Sequence, residues 1–166
     1  MSGILAIDPG SEITGWGWGK VQNDGNDLEL TACGVLKPPA HKDYEERFEW
    51  LVLAMDDLIA QKQPDEFCIE NPFVGPNNAT IIKLSMLAGA YRAIATLHRL
   101  PVFGYEPAKW KASLGSGNMT KQQVRDTLAH IGLSVPVDAP LDVSDAVGIL
   151  RHHYYTVWYE RLSEEE

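Results

Sequence analysis

From residue 14 to residue 21 the chain reads Thr-Gly-Trp-Gly-Trp-Gly-Lys-Val, with glycine and tryptophan alternating over five positions. A period of two is a strand signature. Just upstream, residues 4–8 form a short apolar run closed by Pro9-Gly10, which predicts a buried strand entering a tight turn. Downstream, the polar run Asn23-Asp24-Gly25-Asn26-Asp27 predicts a turn, and residues 28–36 a third strand. Strands joined by such short turns pair antiparallel. The chain therefore opens as three antiparallel strands.

The pattern then changes. Phe48, Leu51, Val52, Met55, Leu58 and Ile59 fall at helical spacing within residues 44–60. Residues 67–70 predict a short strand ended by Asn71-Pro72, residues 81–100 a long amphipathic helix, and residues 102–105 a fifth strand. Thr120-Lys121-Gln122-Gln123 has the capping-box pattern ahead of another helix. Pro140 precedes a last helix over residues 142–162, acidic at its start and with Arg161 near its end. Strands first, then alternating helices and strands, predict an α/β layer fold with a mixed sheet. The expected organisation is one domain over residues 1–162 and an acidic tail at 163–166.

At 166 residues the chain is too short for a two-lobed actin-like ATPase or kinase. We read no apolar run as approaching the ~18 residues of a membrane span, and no basic leader at Met1-Ser2-Gly3. The expectation is a cytoplasmic protein with no membrane partner. Cys33 and Cys68 lack metal or redox spacing and read as free buried thiols.

The net charge of −9 argues against a polyanionic partner, but its distribution does not. Residues 71–125 hold Lys83, Arg92, Arg99, Lys109, Lys111, Lys121 and Arg125 against the single acid Glu106. A locally positive surface on an acidic body can bind phosphates within about a Debye length. The same residues also fit solvated helix faces.

Four carboxylates stand at predicted element edges. Asp8 and Glu70 end strands, and Asp142 and Asp145 lie three apart at a helix start, on one face. Carboxylates at the ends of apolar strands are costly to desolvate unless a cation binds them. Oxygen-only ligands suit Mg²⁺ or Mn²⁺, and a pair of such ions suits phosphodiester hydrolysis. Taken singly, Asp142 also reads as an N-cap, Asp8 as a turn residue and Glu70 as an exposed strand end. Phe73 is either a core aromatic or, in the loop before Val74-Gly75-Pro76-Asn77, a platform for an unpaired base. Lys109-Trp110-Lys111 is basic with an interleaved aromatic, or simply a solvated helix face. His152 and His153 lie on the last helix, and His152 is one turn past Gly148; a surface or packing role fits both.

The motifs in order resemble the RuvC Holliday-junction resolvases of the RNase H-like superfamily. They are Ile7-Asp8-Pro9-Gly10-Ser11, Thr14-Gly15-Trp16-Gly17, Ile69-Glu70 with Phe73, Asn77 with Lys83-Leu84, Gly89, Val102-Phe103-Gly104-Tyr105, Lys111, Thr120-Lys121-Gln122-Gln123-Val124, and Asp142-x-x-Asp145-Ala146. The resemblance implies an RNase H-like α/β fold, a five-stranded mixed sheet with helices on both faces. It implies a homodimeric endonuclease that cuts four-way or branched DNA symmetrically, with two Mg²⁺ or Mn²⁺ ions per active site held by Asp8, Glu70, Asp142 and Asp145. Lys121 would then lie near the scissile phosphate, Phe73 at the junction centre, and Lys111 on DNA. We extend the expected DNA contacts to Asn77, Lys83, Lys109 and Arg125. A branch-migration helicase is compatible as a further partner, and a bacterial or phage source fits equally well.

Overall fold

The alternating stretch is a strand in the computed structural model, which describes residues 2–22 and 27–159. Strands β1 (Ser2–Asp8), β2 (Thr14–Gln22) and β3 (Asp27–Leu36) come first, followed by helix α1 (Tyr44–Lys62), strand β4 (Glu66–Glu70), helix α2 (Asn78–Leu97) and strand β5 (Val102–Tyr105). Helices α3 (Pro107–Ala112), α4 (Lys121–His130) and α5 (Leu141–His153) follow, with a π-helical segment Tyr154–Tyr159 continuing α5. The last α-helix thus ends earlier than the sequence suggests. The remainder of that expected helix and the acidic tail lie outside the described residues.

One mixed sheet runs in the order β3-β2-β1-β4-β5. The β1–β2 and β2–β3 pairs are antiparallel, whereas β4 joins β1, and β5 joins β4, in parallel. Alternation divides the side chains into two cores. Leu5, Ile7, Trp18, Phe67 and Ile69 pack with Leu51, Met55 and Ile59 of α1 and Leu87, Tyr91 and Ala95 of α2. Ile4, Ala6 and Cys68 pack on the other face with Val143, Val147 and Leu150 of α5 and Val124 and Leu128 of α4. Both cysteines are free, Cys68 buried and Cys33 half-buried.

The two faces of β2 are unequal because Trp16 and Trp18 join the α1/α2 side while the glycines face α5. A Cβ at Gly15 would stand 2.2 Å from the backbone oxygen of Asp142. Only a residue without a side chain lets the first turn of α5 approach so closely.

By length and composition alone α2 is apolar enough to cross a bilayer. This corrects the reading that no run approaches such a span. In the fold its Leu87, Ala88, Tyr91, Ile94 and Ala95 are buried, as in the core helix of a folded domain.

Candidate active site

Ile7 of β1 lies opposite Ile69 of the parallel strand β4, so the next residues, Asp8 and Glu70, end their strands side by side. Carboxyl ends of parallel strands are where ligand crevices open in α/β folds. The turn after Asp8 is fixed by Thr14, whose hydroxyl donates to the Gly10 carbonyl at 3.0 Å and lies 2.8 Å from the Tyr91 hydroxyl.

Helix α5 brings in the other two acids. Its N-cap is Pro140, with no side-chain cap, so Asp142 is not the cap that its sequence position allowed. Asp142 lies in the first turn, where the helix dipole favours a carboxylate, and Asp145 follows one turn later. Lys121 comes from the first position of α4, behind the capping box that the sequence predicts between Thr120 and Gln123. Its ammonium donates to Asp142 Oδ1 at 2.7 Å and stands 3.3 Å from Asp145 Oδ2 and 3.6 Å from Asp8 Oδ2. A helix N-terminus disfavours a cation, and the three carboxylates offset that cost.

The electrostatics follow from burial. Asp8 is 7% exposed and Asp145 4%. Burial, then repulsion from Glu70, raises the Asp8 carboxyl well above the usual range, and Lys121 offsets only part of this. Burial also raises Glu70 and Asp145, opposed at Asp145 by Lys121 and Lys111. Burial works against the charge on Lys121, but attraction to Asp8, Asp142 and Asp145 outweighs it and lifts the ammonium above the ordinary lysine range.

Among the described residues no group of three His, Cys, Asp or Glu side chains is gathered closely enough to hold a metal ion as it stands. The donor chemistry nevertheless fits a hard divalent cation. All candidate ligands are oxygens, and Asp145 Oδ1 is buried with no hydrogen-bond partner. Among the described residues the four carboxylates have only the Lys121 ammonium in contact, which leaves negative charge that a cation would neutralise.

Glu70 has a partner that sequence reasoning missed. Trp110 of α3 is fully buried and donates its indole N–H to Glu70 Oε2 at 2.7 Å. The Lys109-Trp110-Lys111 triplet reads as a nucleic-acid surface, but the tryptophan turns inward while Lys109 is exposed and Lys111 half-exposed. Its ring rests on Gly148, where a Cβ would meet Cζ3 at 2.6 Å. A glycine inside the apolar run Ala146-Val147-Gly148-Ile149-Leu150 was the available signal.

The expected DNA contacts divide. Phe73 is 72% exposed in the loop after Glu70, which excludes the core reading. That loop is anchored by the Asn71 amide N–H, which donates to the Tyr105 carbonyl at 2.8 Å, and by an Arg92 bond to the Asn71 side chain. Asn77 caps α2, accepting from the Thr80 N–H. Lys83 lies over the Tyr44 ring at 4.8 Å, and Lys109 pairs with Glu106 at 3.6 Å. Arg125 departs from the expectation of a free phosphate-binding side chain. Its guanidinium donates to Ser144 Oγ and to the carbonyls of Val137, Ala139 and Pro140, tying α4 to the segment before α5.

His153 is buried between the Tyr105 hydroxyl and Glu66, each at 2.7 Å, and His152 stacks edge-on against Tyr105. Both thus pack on Tyr105, the register partner of Glu70.

Comparison with known proteins identifies the family. The family model described as "Crossover junction endodeoxyribonuclease RuvC" matches residues 4–153. The RuvC of Cytophaga hutchinsonii is 34% identical over 153 residues, covering 92% of this chain and 76% of the relative. That of Vibrio vulnificus is 34% identical over 157 residues, covering 94% and 88%. Among solved structures, Thermus thermophilus RuvC in complex with Holliday junction substrate superposes with a TM-score of 0.80 at 23% identity, covering 98% of this chain and 97% of that one, a likeness of fold. With sequence matches spanning nearly the whole chain, this protein belongs to the RuvC family of crossover junction endodeoxyribonucleases.

Proposed function

We propose that this chain resolves Holliday junctions and related branched DNA by paired, symmetric phosphodiester hydrolysis, acting as a homodimer with two Mg²⁺ or Mn²⁺ ions per site. The observation that carries this reading is the meeting of Asp8 from β1 with Asp142 and Asp145 from α5 around Lys121, beside Glu70 at the end of β4. The family match supports the reaction class and dependence on a divalent metal.

In this reading Asp8 and Asp145 would hold the ions, Asp142 would complete the ligand set, and Glu70 would be a further ligand or orient the attacking water. Bound Mg²⁺ or Mn²⁺ supplies Lewis-acid chemistry at the phosphate. Lys121 donates to charge developing on the phosphate oxygens. Phe73 stacks at the junction centre, while Lys83, Lys109 and Lys111 neutralise nearby phosphates. The setting is the bacterial cytoplasm, with the gene carried by the cell or by a phage.

The test is a gel assay with a labelled four-way DNA junction, a linear duplex of the same sequence and a matched RNA substrate, each with Mg²⁺, Mn²⁺ or EDTA. Paired nicks confined to the junction and lost in EDTA are expected. Binding without cleavage in every metal, or preferential cleavage of RNA, overturns the reading.

A further inference from the structure

Glu70 is held differently from the other three acids. Asp8, Asp142 and Asp145 share the Lys121 ammonium, whereas the hydrogen bond to Glu70 comes from a neutral donor, the indole of Trp110. That bond engages Oε2 at 2.7 Å, and no hydrogen bond from a described residue reaches Oε1.

The donor is rigidly placed. Trp110 has no exposed surface, its ring lies against Gly148 of α5, and the Lys111 ammonium stands 5.3 Å from the centre of that ring. An alanine at position 148 would put its Cβ 2.6 Å from Cζ3 and 3.0 Å from Cε3, so the bare backbone of α5 is the seat of the indole. The same helix carries Asp142 and Asp145 six and three residues before that seat. Trp110 therefore ties the end of β4 to the helix that supplies the other acids.

From this geometry we propose that Trp110 is a positioning residue, seated on Gly148, which holds Glu70 by Oε2 and so leaves Oε1 available to a divalent ion. The inference rests on the reading of Glu70 as an ion ligand. A neutral donor suits the task because it fixes the carboxylate without cancelling the charge that attracts the ion.

The test measures Mn²⁺ affinity calorimetrically, without DNA, in wild type, Trp110→Phe, Glu70→Ala and the double variant. The temperature is well below the metal-free Tm of each protein. Phenylalanine keeps an aromatic ring and removes the N–H. Trp110→Phe should weaken Mn²⁺ binding roughly tenfold, the scale of losing a hydrogen-bond partner behind a metal ligand. In the Glu70→Ala background the same change should shift affinity by less than about twofold, because nothing remains to be positioned.

Equal losses in both backgrounds would make Trp110 a packing residue only and overturn the proposal, as would no loss in either. If Glu70→Ala itself leaves Mn²⁺ affinity unchanged, Glu70 is not a ligand, and the underlying site reading falls first. Should Trp110→Phe fail to fold, Gly148→Ala takes its place. It keeps the indole but displaces it, and the same Glu70-dependent loss is expected; unchanged affinity in a folded Gly148→Ala protein overturns the proposal.

Discussion

Gly15 and Asp142 meet backbone to backbone: a Cβ on Gly15 would lie 2.2 Å from the Asp142 carbonyl oxygen and 2.6 Å from its carbonyl carbon. This contact sets how deeply the first turn of α5 sits on β2, and hence where Asp142 and Asp145 stand relative to Asp8. Because the obstructing atoms are backbone, no rotamer change relieves a substitution. Gly15→Ala should cost about 1–3 kcal/mol of stability, the range of overpacking and backbone displacement, and should reduce cleavage further than that loss explains. Urea unfolding and single-turnover cleavage at a temperature where the variant is folded check both parts.

Asp8 is a buried carboxylate with three other acids as neighbours, so its charge works against folding while serving ion binding. Asp8→Asn should abolish cleavage while leaving junction binding intact. It should also raise the Tm of the metal-free protein by about 2–4 °C, the shift that ~1 kcal/mol produces in a domain of this size. A fall in Tm would show that the Asp8–Lys121 contact outweighs the burial.

The raised carboxyls have a definite pH signature. Asp8, Glu70 and Asp145 all titrate above their ordinary range when folded, chiefly through burial. The folded state therefore binds protons more tightly than the unfolded state. Their contribution to stability is complete below the ordinary carboxylate range and is lost as pH rises through the elevated folded values. The metal-free protein should become less stable as pH rises across the weakly acidic range, apart from other titrations. Added Mg²⁺ should restore more stability at about pH 8 than at about pH 6, since protons compete for the same oxygens. Thermal scans in EDTA and in Mg²⁺ across that range test the sign.

Phe73 is largely exposed and buries little on folding. Phe73→Ala should change stability by less than about 0.5 kcal/mol. Cleavage of a four-way junction should fall about tenfold or more, in line with the ~1–3 kcal/mol of a base–aromatic stack, and affinity for linear duplex should hold. Parallel binding and cleavage titrations separate these effects.

Arg125 makes the opposite case. With its guanidinium bonded to Ser144 and three carbonyls ahead of α5, Arg125→Ala should destabilise the fold by about 2–4 kcal/mol. The salt dependence of DNA binding should be unchanged, because no phosphate contact is lost. A salt slope lower by about one would return Arg125 to the DNA-binding surface.

Much of this was legible in the chain itself. The two-residue period at 14–21, the apolar run ending at Asp8, the helical spacing at 44–60 and the Thr120–Gln123 capping box each depend on neighbours within a few positions. Local sequence therefore determined the five strands, the longer helices apart from the end of the last one, and the place of the four acids near element ends. The Trp110–Glu70 bond spans 40 residues, Lys121 reaches Asp8 across 113, and the four hydrogen bonds of Arg125 join segments 12 to 19 residues apart.

Triplet 109–111 shows why such features stayed hidden. Composition marks it as basic and aromatic, but only the seat at Gly148 decides that the tryptophan turns inward. Lys121 looked like a phosphate contact, and only packing of α4 against α5 places its ammonium among three carboxylates. A side chain's type and its helix or strand period are properties of the local chain. Which other side chain it meets depends on how layers far apart in sequence close on one another, and here bare backbone at Gly15 and Gly148 sets that closure.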